Sequence, residues 1–136
     1  MQATIATTNF SQTLVASAVS ITTATDTNIL AAPMVCAPGT WLFLPCINFI
    51  FPASTSYTVL SIGVNTTSAT LPTSDLGLWK QTVAVAVVPG APQSWLGNPF
   101  PLTFSIATSV YLVARATFTA STLTASGWLL AVQVSP

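Results

Sequence analysis

Apolar and hydroxyl residues in this chain recur at every second position, and no ten-residue segment carries an apolar period of 3.6. A period of two places successive side chains on opposite faces of an extended strand. Val15, Ser17, Val19 and Ile21 fall on one face of such a segment, with Ala16, Ala18 and Ser20 on the other. Thr58, Leu60, Ile62 and Val64 alternate with Tyr57, Val59, Ser61 and Gly63, and Val83, Val85 and Val87 alternate with Ala84 and Ala86. Val110, Leu112, Ala114, Ala116 and Phe118 oppose Tyr111, Val113, Arg115, Thr117 and Thr119. Trp128, Leu130, Val132 and Val134 oppose Leu129, Ala131 and Gln133. Both faces are often apolar or hydroxylic, which predicts burial on two sides rather than one wet face.

Adding residues 28–35, 41–51 and 102–106 gives about eight strands. Turn residues separate them at Ala37-Pro38-Gly39, Leu71-Pro72-Thr73-Ser74-Asp75, Pro89-Gly90-Ala91-Pro92 and Gly97-Asn98-Pro99. About eight strands in 136 residues predict an all-β fold, an antiparallel β-sandwich of the jelly-roll type. The expected organisation is a single domain over residues 1–136, with residues 1–11 as a possible N-terminal arm. Residues 89–101 hold four prolines with Trp95 and Phe100, and read as an irregular, rigid loop able to serve as a contact surface.

Composition then removes most chemistries. The formal charges are Asp26, Asp75, Lys80 and Arg115, the net charge is zero, and histidine is absent. Two cations cannot neutralise a phosphate backbone, so nucleic acid is not an expected partner. Disorder is excluded, because half the residues are hydrophobic and hardly any are charged. A zinc site would have to recruit Cys36, Cys46 and the two aspartates, whose spacing matches no ligand pattern. Nucleophilic catalysis lacks a base, Lys80 being the sole amine side chain, and paired-carboxylate hydrolysis would need Asp26 and Asp75 to converge from separate turns. No glycine-rich phosphate loop is present. The expectation is a non-enzymatic chain with no cofactor.

Mean hydropathy is high, at +0.74, but the longest apolar run, residues 34–51, contains Pro38, Gly39 and Pro45 and has no basic flank. It does not read as a membrane helix, and no membrane partner is expected. The N-terminal residues lack the basic and apolar regions of a secretory signal. If Pro38-Gly39 turned a tight hairpin, Cys36 would face Trp41 and Cys46 would face Ala31, too far apart for a disulfide. The two thiols read as buried free cysteines. With 22 Thr and 14 Ser, solubility must come from hydroxyls or from burial in a larger assembly.

Three stretches carry a resemblance. They are Pro38-Gly39-Thr40-Trp41, then residues 61–72 (SIGVNTTSATLP), then residues 109–119 (SVYLVARATFT) leading to Gly127-Trp128-Leu129-Leu130-Ala131. Their order over residues 28–134 resembles small bacteriophage virion domains with a jelly roll like that of C1q and tumour necrosis factor. Such domains occur in tail fibres and head-associated proteins. The resemblance implies an antiparallel sandwich, self-association as a homodimer or homotrimer, and a place in the virion, assembled in the host cytoplasm. It implies a structural role, as a capsid decoration (cement) protein on the major capsid protein or, alternatively, as a tail-fibre or receptor- and glycan-binding module. The family usually carries more charge, often an Arg two residues beyond the alanine that Ala131 matches. Gln133 stands there in this chain.

Four residues are the candidate interface: Arg115, Trp79, Trp95 and Phe100. A guanidinium between Ala114 and Ala116 needs acceptors, and reads either as an exposed strand arginine or as a contact to another subunit. Trp41 and Trp128 read as core. Trp79 and Trp95 lie near turns and read as core, as interface anchors, or as a platform for a sugar.

Overall fold

The computed structural model describes residues 11–73, 77–119 and 122–136. The described residues are all-β, with ten strands among them: β1 (Ser11–Ile21), β2 (Thr27–Asn28), β3 (Met34–Cys36), β4 (Gly39–Ile50), β5 (Ser56–Asn65), β6 (Leu78–Val87), β7 (Gln93–Leu96), β8 (Phe100–Phe104), β9 (Thr108–Thr119) and β10 (Leu123–Ser135). They form two antiparallel sheets. One has the order β1-β10-β4-β7, with β8 also on β4; the other has the order β2-β9-β5-β6, with β3 also on β9. Each sheet therefore has four strand positions, and one flank position in each is divided between two short strands. This is the expected jelly roll, with about eight strand positions realised as ten strands. The expected arm falls mostly on residues 1–10, outside the described residues, and Ser11 already belongs to β1.

Alternation is cleanest in β4, where Trp41, Phe43, Ile47 and Phe49 are wholly buried and the residues between them face outward. Leu60, Ile62 and Val64 of β5, Val110, Leu112, Ala114 and Ala116 of β9, and Leu123, Ala125, Leu129 and Ala131 of β10 close the same core. The Trp41 indole N–H donates to the carbonyl of Ala37 at 2.9 Å, so the largest core ring also satisfies its one polar atom.

Pro45 explains why one flank is divided. A proline within a central strand has no N–H to donate to a neighbour. On one side of β4, Pro45 sits opposite Leu129 of β10. On the other side, β8 pairs as far as Phe43 and β7 begins at Cys46, so the ladder skips the proline. Gly97 crosses this gap and donates its N–H to the Pro45 carbonyl at 2.8 Å. The segment expected to be an irregular loop, residues 89–101, is irregular over residues 89–92 and 97–99 and holds β7 and the start of β8 on either side of the gap that Pro45 opens.

Three further expectations are corrected. Trp128 is not core: it is half-buried on the outer face, and the inward positions of β10 go to Leu129 and Ala131. Gly127 beside it admits no side chain, because a Cβ there would collide with the Cys46 carbonyl oxygen. Pro38-Gly39 is not a hairpin turn, since Cys36 pairs with Thr108 of β9 while β4 joins the other sheet. The chain crosses between sheets there, with Gly39 at φ +128°. Finally, the regular phase expected for β1, β5 and β6 is broken by bulges; in β5 the register shifts at Thr58, so Tyr57 and Leu60, expected on opposite faces, are both buried in the core. In β1 the register shifts between Ala16 and Val19, leaving Val15 76% exposed and Ile21 buried. In β6, residues 83–86 pass opposite the single residue Thr58, because Tyr57 pairs with Val87 and Val59 with Thr82.

The Phe43 ring stacks on Phe100 at 5.8 Å and meets the edge of Phe104 at 6.3 Å. Phe43→Ala should lower unfolding stability by about 3–5 kcal/mol, read as a lower urea midpoint with an unchanged slope.

Candidate functional site

Two outer faces and one plugged opening distinguish this sandwich. The outer face of the β1-β10-β4-β7/β8 sheet is set by the residues of β4 that alternate with its core row. Cross-strand register makes one continuous row across four strands: Val15 opposite Trp128, Trp128 opposite Cys46, and Cys46 opposite Leu96. The next rows place Leu130 beside Leu44, then Val132 beside Leu42 and Leu42 beside Pro101. Leu96 and Val134 are each 57% exposed. Hydroxyl and amide groups rim this patch and bond to each other across strands: Thr40 with Thr103 at 3.0 Å, and the Ser94 hydroxyl to the Asn48 side-chain carbonyl at 2.9 Å. No charged residue stands on these rows. An apolar centre with a satisfied polar rim is how protein interfaces are commonly built.

The opposite outer face, on the β2-β9-β5-β6 sheet, is partly covered by the segment 66–73, which folds back across it as a strap. Gly63 permits this approach: a Cβ there would meet the Pro72 ring at 2.5 Å and Leu71 at 3.0 Å. Side chains beside β2 clamp the strap. The Asn28 amide donates to the Ser68 hydroxyl at 2.7 Å and its carbonyl accepts the Ala69 N–H at 2.7 Å. Asp26 accepts the Leu71 N–H at 2.8 Å through Oδ2, and its buried Oδ1 lies 3.5 Å from Nη1 of Arg115, with no hydrogen bond. Asn28 was not singled out from sequence and Asp26 was weighed there only as an acid or metal ligand, because their partners in the strap lie 40 or more positions away.

Between strap and sheet runs a groove of about 510 Å³, lined by Asp26, Val59, Ser61, Thr70, Leu71, Pro72, Thr73, Leu78, Lys80, Arg115 and Thr117. Every charged side chain among the described residues lines it; Asp75 lies outside them. Arg115 keeps 44% of its side chain exposed and Asp26 keeps 21%.

The structure brings Trp79, Trp95 and Phe100 together away from Arg115. Trp95 and Phe100 are buried within the chain, at 8% and 5% exposure. Trp79 is half-buried and meets Trp95 edge-on, with ring centroids 3.7 Å apart. Trp79 and Phe100 line a small cavity of about 200 Å³ with Pro45, Ile62 and Gly97, over the gap that Pro45 opens in β4's flank. The aromatic trio thus plugs this end of the sandwich, and only Trp79 retains an outward part.

Cys36 and Cys46 are free thiols, one in the core and one on the outer apolar face. Burial pushes the Cys36 thiol up from 9.0 to about 11, and raises Cys46 as well. No group of three or more His, Cys, Asp or Glu side chains that could hold a metal occurs among the described residues. Among the described residues no helix is long and apolar enough to cross a membrane.

No family model matches the chain, and no curated protein matches it. Among solved structures, it is similar to the crystal structure of the infectious bursal disease virus VP2 subviral particle. The identity is 13% and the TM-score 0.53, over 93% of this chain and 33% of that one. The structure of the infectious bursal disease virus Gx strain is matched at 13% identity and TM-score 0.48, over 91% of this chain and 33% of that one. The chain thus spans about a third of the chains it matches. At this identity the likeness is one of fold alone: an antiparallel β-sandwich of the jelly-roll type.

Two predictions follow from these sites. Asp26→Ala removes the acceptor for Leu71 N–H and the partner of Arg115. It should cost about 1–3 kcal/mol and speed amide exchange at Leu71 and Ala69, while exchange in β4 stays slow. For Cys36, the unfolded thiol ionises first as pH rises, so the stability it contributes is whole below pH 9.0 and lost as pH climbs towards 11. Wild-type urea midpoints should therefore fall between about pH 8 and about pH 10.5 by more than those of Cys36→Ala. An equal fall in both proteins would refute the assignment.

Proposed function

We propose that this chain is a non-enzymatic structural protein of a virus particle. In this reading it is a bacteriophage capsid decoration (cement) protein that self-associates and stabilises the shell. The observation that carries the proposal is the uncharged apolar face spanning β1, β10, β4 and the β7/β8 flank. Such a face is costly to leave in water, and can be covered without desolvating any ion. Its strength would barely depend on salt, since there is no charge to screen. The shared jelly-roll fold and the resemblance to phage virion domains support the same reading, in which the protein resides in the virion after assembly in the host cytoplasm.

The partners in this proposal are a second or third copy of the chain through the apolar face, and the major capsid protein or another virion protein elsewhere. Arg115 and the outward part of Trp79 are the contacts assigned to the second kind of partner, with Trp95 and Phe100 supporting Trp79 from behind. A tail-fibre or receptor-binding module is the alternative use of the same fold. Cryo-electron microscopy of particles separates the two: density spread over the capsid lattice supports the decoration role, and density confined to the tail overturns it.

Sedimentation at micromolar concentration should give a dimer or trimer, and Leu130→Glu with Leu44→Glu should give a folded monomer with unchanged circular dichroism. A wild-type monomer would overturn the self-association.

A further inference from the structure

The groove beneath the 66–73 strap joins the few charges of the molecule in one place. Cross-strand register sets Arg115 of β9 opposite Ser61 of β5, and Ser61 opposite Lys80 of β6. The three residues thus form one row across the sheet, with the two cations two strand spacings apart, roughly 10 Å. Ser61 between them is only 3% exposed yet lines the groove. Arg115 is held from behind by Asp26 at 3.5 Å without a hydrogen bond, so most of its five donors remain free for another acceptor. Lys80 is exposed and has no ion pair among the described residues. Two cations against one carboxylate leave the lined groove with one net positive charge, in a chain whose remaining described surface is uncharged.

We propose that this groove binds a carboxylate, and that its occupant is an acidic peptide segment of another protein chain. A carboxylate seated over Ser61 would lie between Lys80 and Arg115 and take charge-assisted hydrogen bonds from both. Val59, Leu71, Pro72 and Leu78 supply apolar walls for the methylenes and neighbours of an Asp or Glu side chain. The lining contains no aromatic ring on which a sugar face could stack, so a peptide is favoured over an acidic sugar. A second copy of this chain is a poor donor, since its sole acids are Asp26, already in the groove, and Asp75. The inference names the chemistry that would engage Arg115, which the assembly reading assigns to a virion partner, but it does not require that reading, because it concerns the isolated chain and a foreign acid.

The test is a titration of the full isotope-labelled chain at low salt with a capped Ala-Glu-Ala-Glu-Ala peptide, followed by nuclear magnetic resonance. The Gln counterpart of the peptide and free glucuronate are run in parallel. The expected result is saturable shifts centred on Ser61, Lys80 and Arg115 with the Glu peptide alone, weakening as salt is added. Lys80→Gln should weaken binding by about fivefold, Lys80→Arg should retain it, and both should keep the wild-type melting temperature because Lys80 is exposed and has no ion pair among the described residues. Equal binding of the Gln peptide, unchanged affinity in Lys80→Gln, or shifts centred elsewhere would overturn the proposal. Glucuronate binding without peptide binding would overturn the choice of occupant, as would shifts at these residues that grow with chain concentration in the absence of peptide. None of these outcomes depends on whether the protein sits on a capsid or a tail.

Discussion

The inward row of β4 is the constraint on which the rest of the sandwich depends. Trp41, Phe43, Ile47 and Phe49 are wholly buried, and β4 is the strand through which β10, β7 and β8 are all organised. Filling one side of β4 with large rings leaves room for only small or medium residues on the inward side of its neighbour. β10 meets that demand with Ala125, Gly127 and Ala131, which are packed directly against β4. The largest residue of β10, Trp128, is consequently turned outward, while Leu129 takes the inward place opposite Pro45, where β4 carries no large ring. The apolar outer face is thus the geometric counterpart of the core row as well as a surface property.

This dependence also explains what could and could not be read along the chain. Alternation identified β5 and β9, and identified β10 as a strand, because a period of two is a local signal; β4 was added as an apolar run between turn residues. The phase of β10 was not legible, since both of its faces are apolar and the choice between Trp128 and Leu129 is made by β4. The bulges in β1 and β6 were equally hidden: Ala16 to Val19 and Val83 to Ala86 look regular as text and are displaced only by their partners. Pro45 was visible, yet its consequence, a divided flank with Gly97 bonded to its carbonyl, requires knowing that β4 is central. Arg115 drew attention for lack of local acceptors. Its partner, Asp26, lies 89 positions away and is paired with it through the strap and β2 rather than through any local pattern.

The candidate residues therefore divide by physical role. Trp95 and Phe100 are consumed in closing the sandwich over the Pro45 gap, Trp79 is shared between that plug and solvent, and Arg115 looks into a groove on the other side of its sheet. Hydroxyl and amide side chains take over work that charges do in most soluble domains. Asn28 and Asn65 fasten the strap, and Thr40, Thr103, Ser94 and Asn48 tie strands at the rim of the apolar face. Neutral pairs of this kind hold position without long-range fields, so the few charges left are felt only where they stand.

The outer face of β1, β10, β4 and β7 carries a consequence for environment. The chain has no histidine, and the one titratable side chain on those rows is Cys46, whose ionisation burial displaces above its ordinary value of 9.0. Protons therefore have no handle on this surface across the acidic and neutral range. A contact made through it neither loosens in an acidic compartment nor tightens on return to neutrality, and responds instead to temperature, as apolar burial does. The grooved face, with its aspartate, lysine and arginine, is the side of the molecule on which ionic surroundings act.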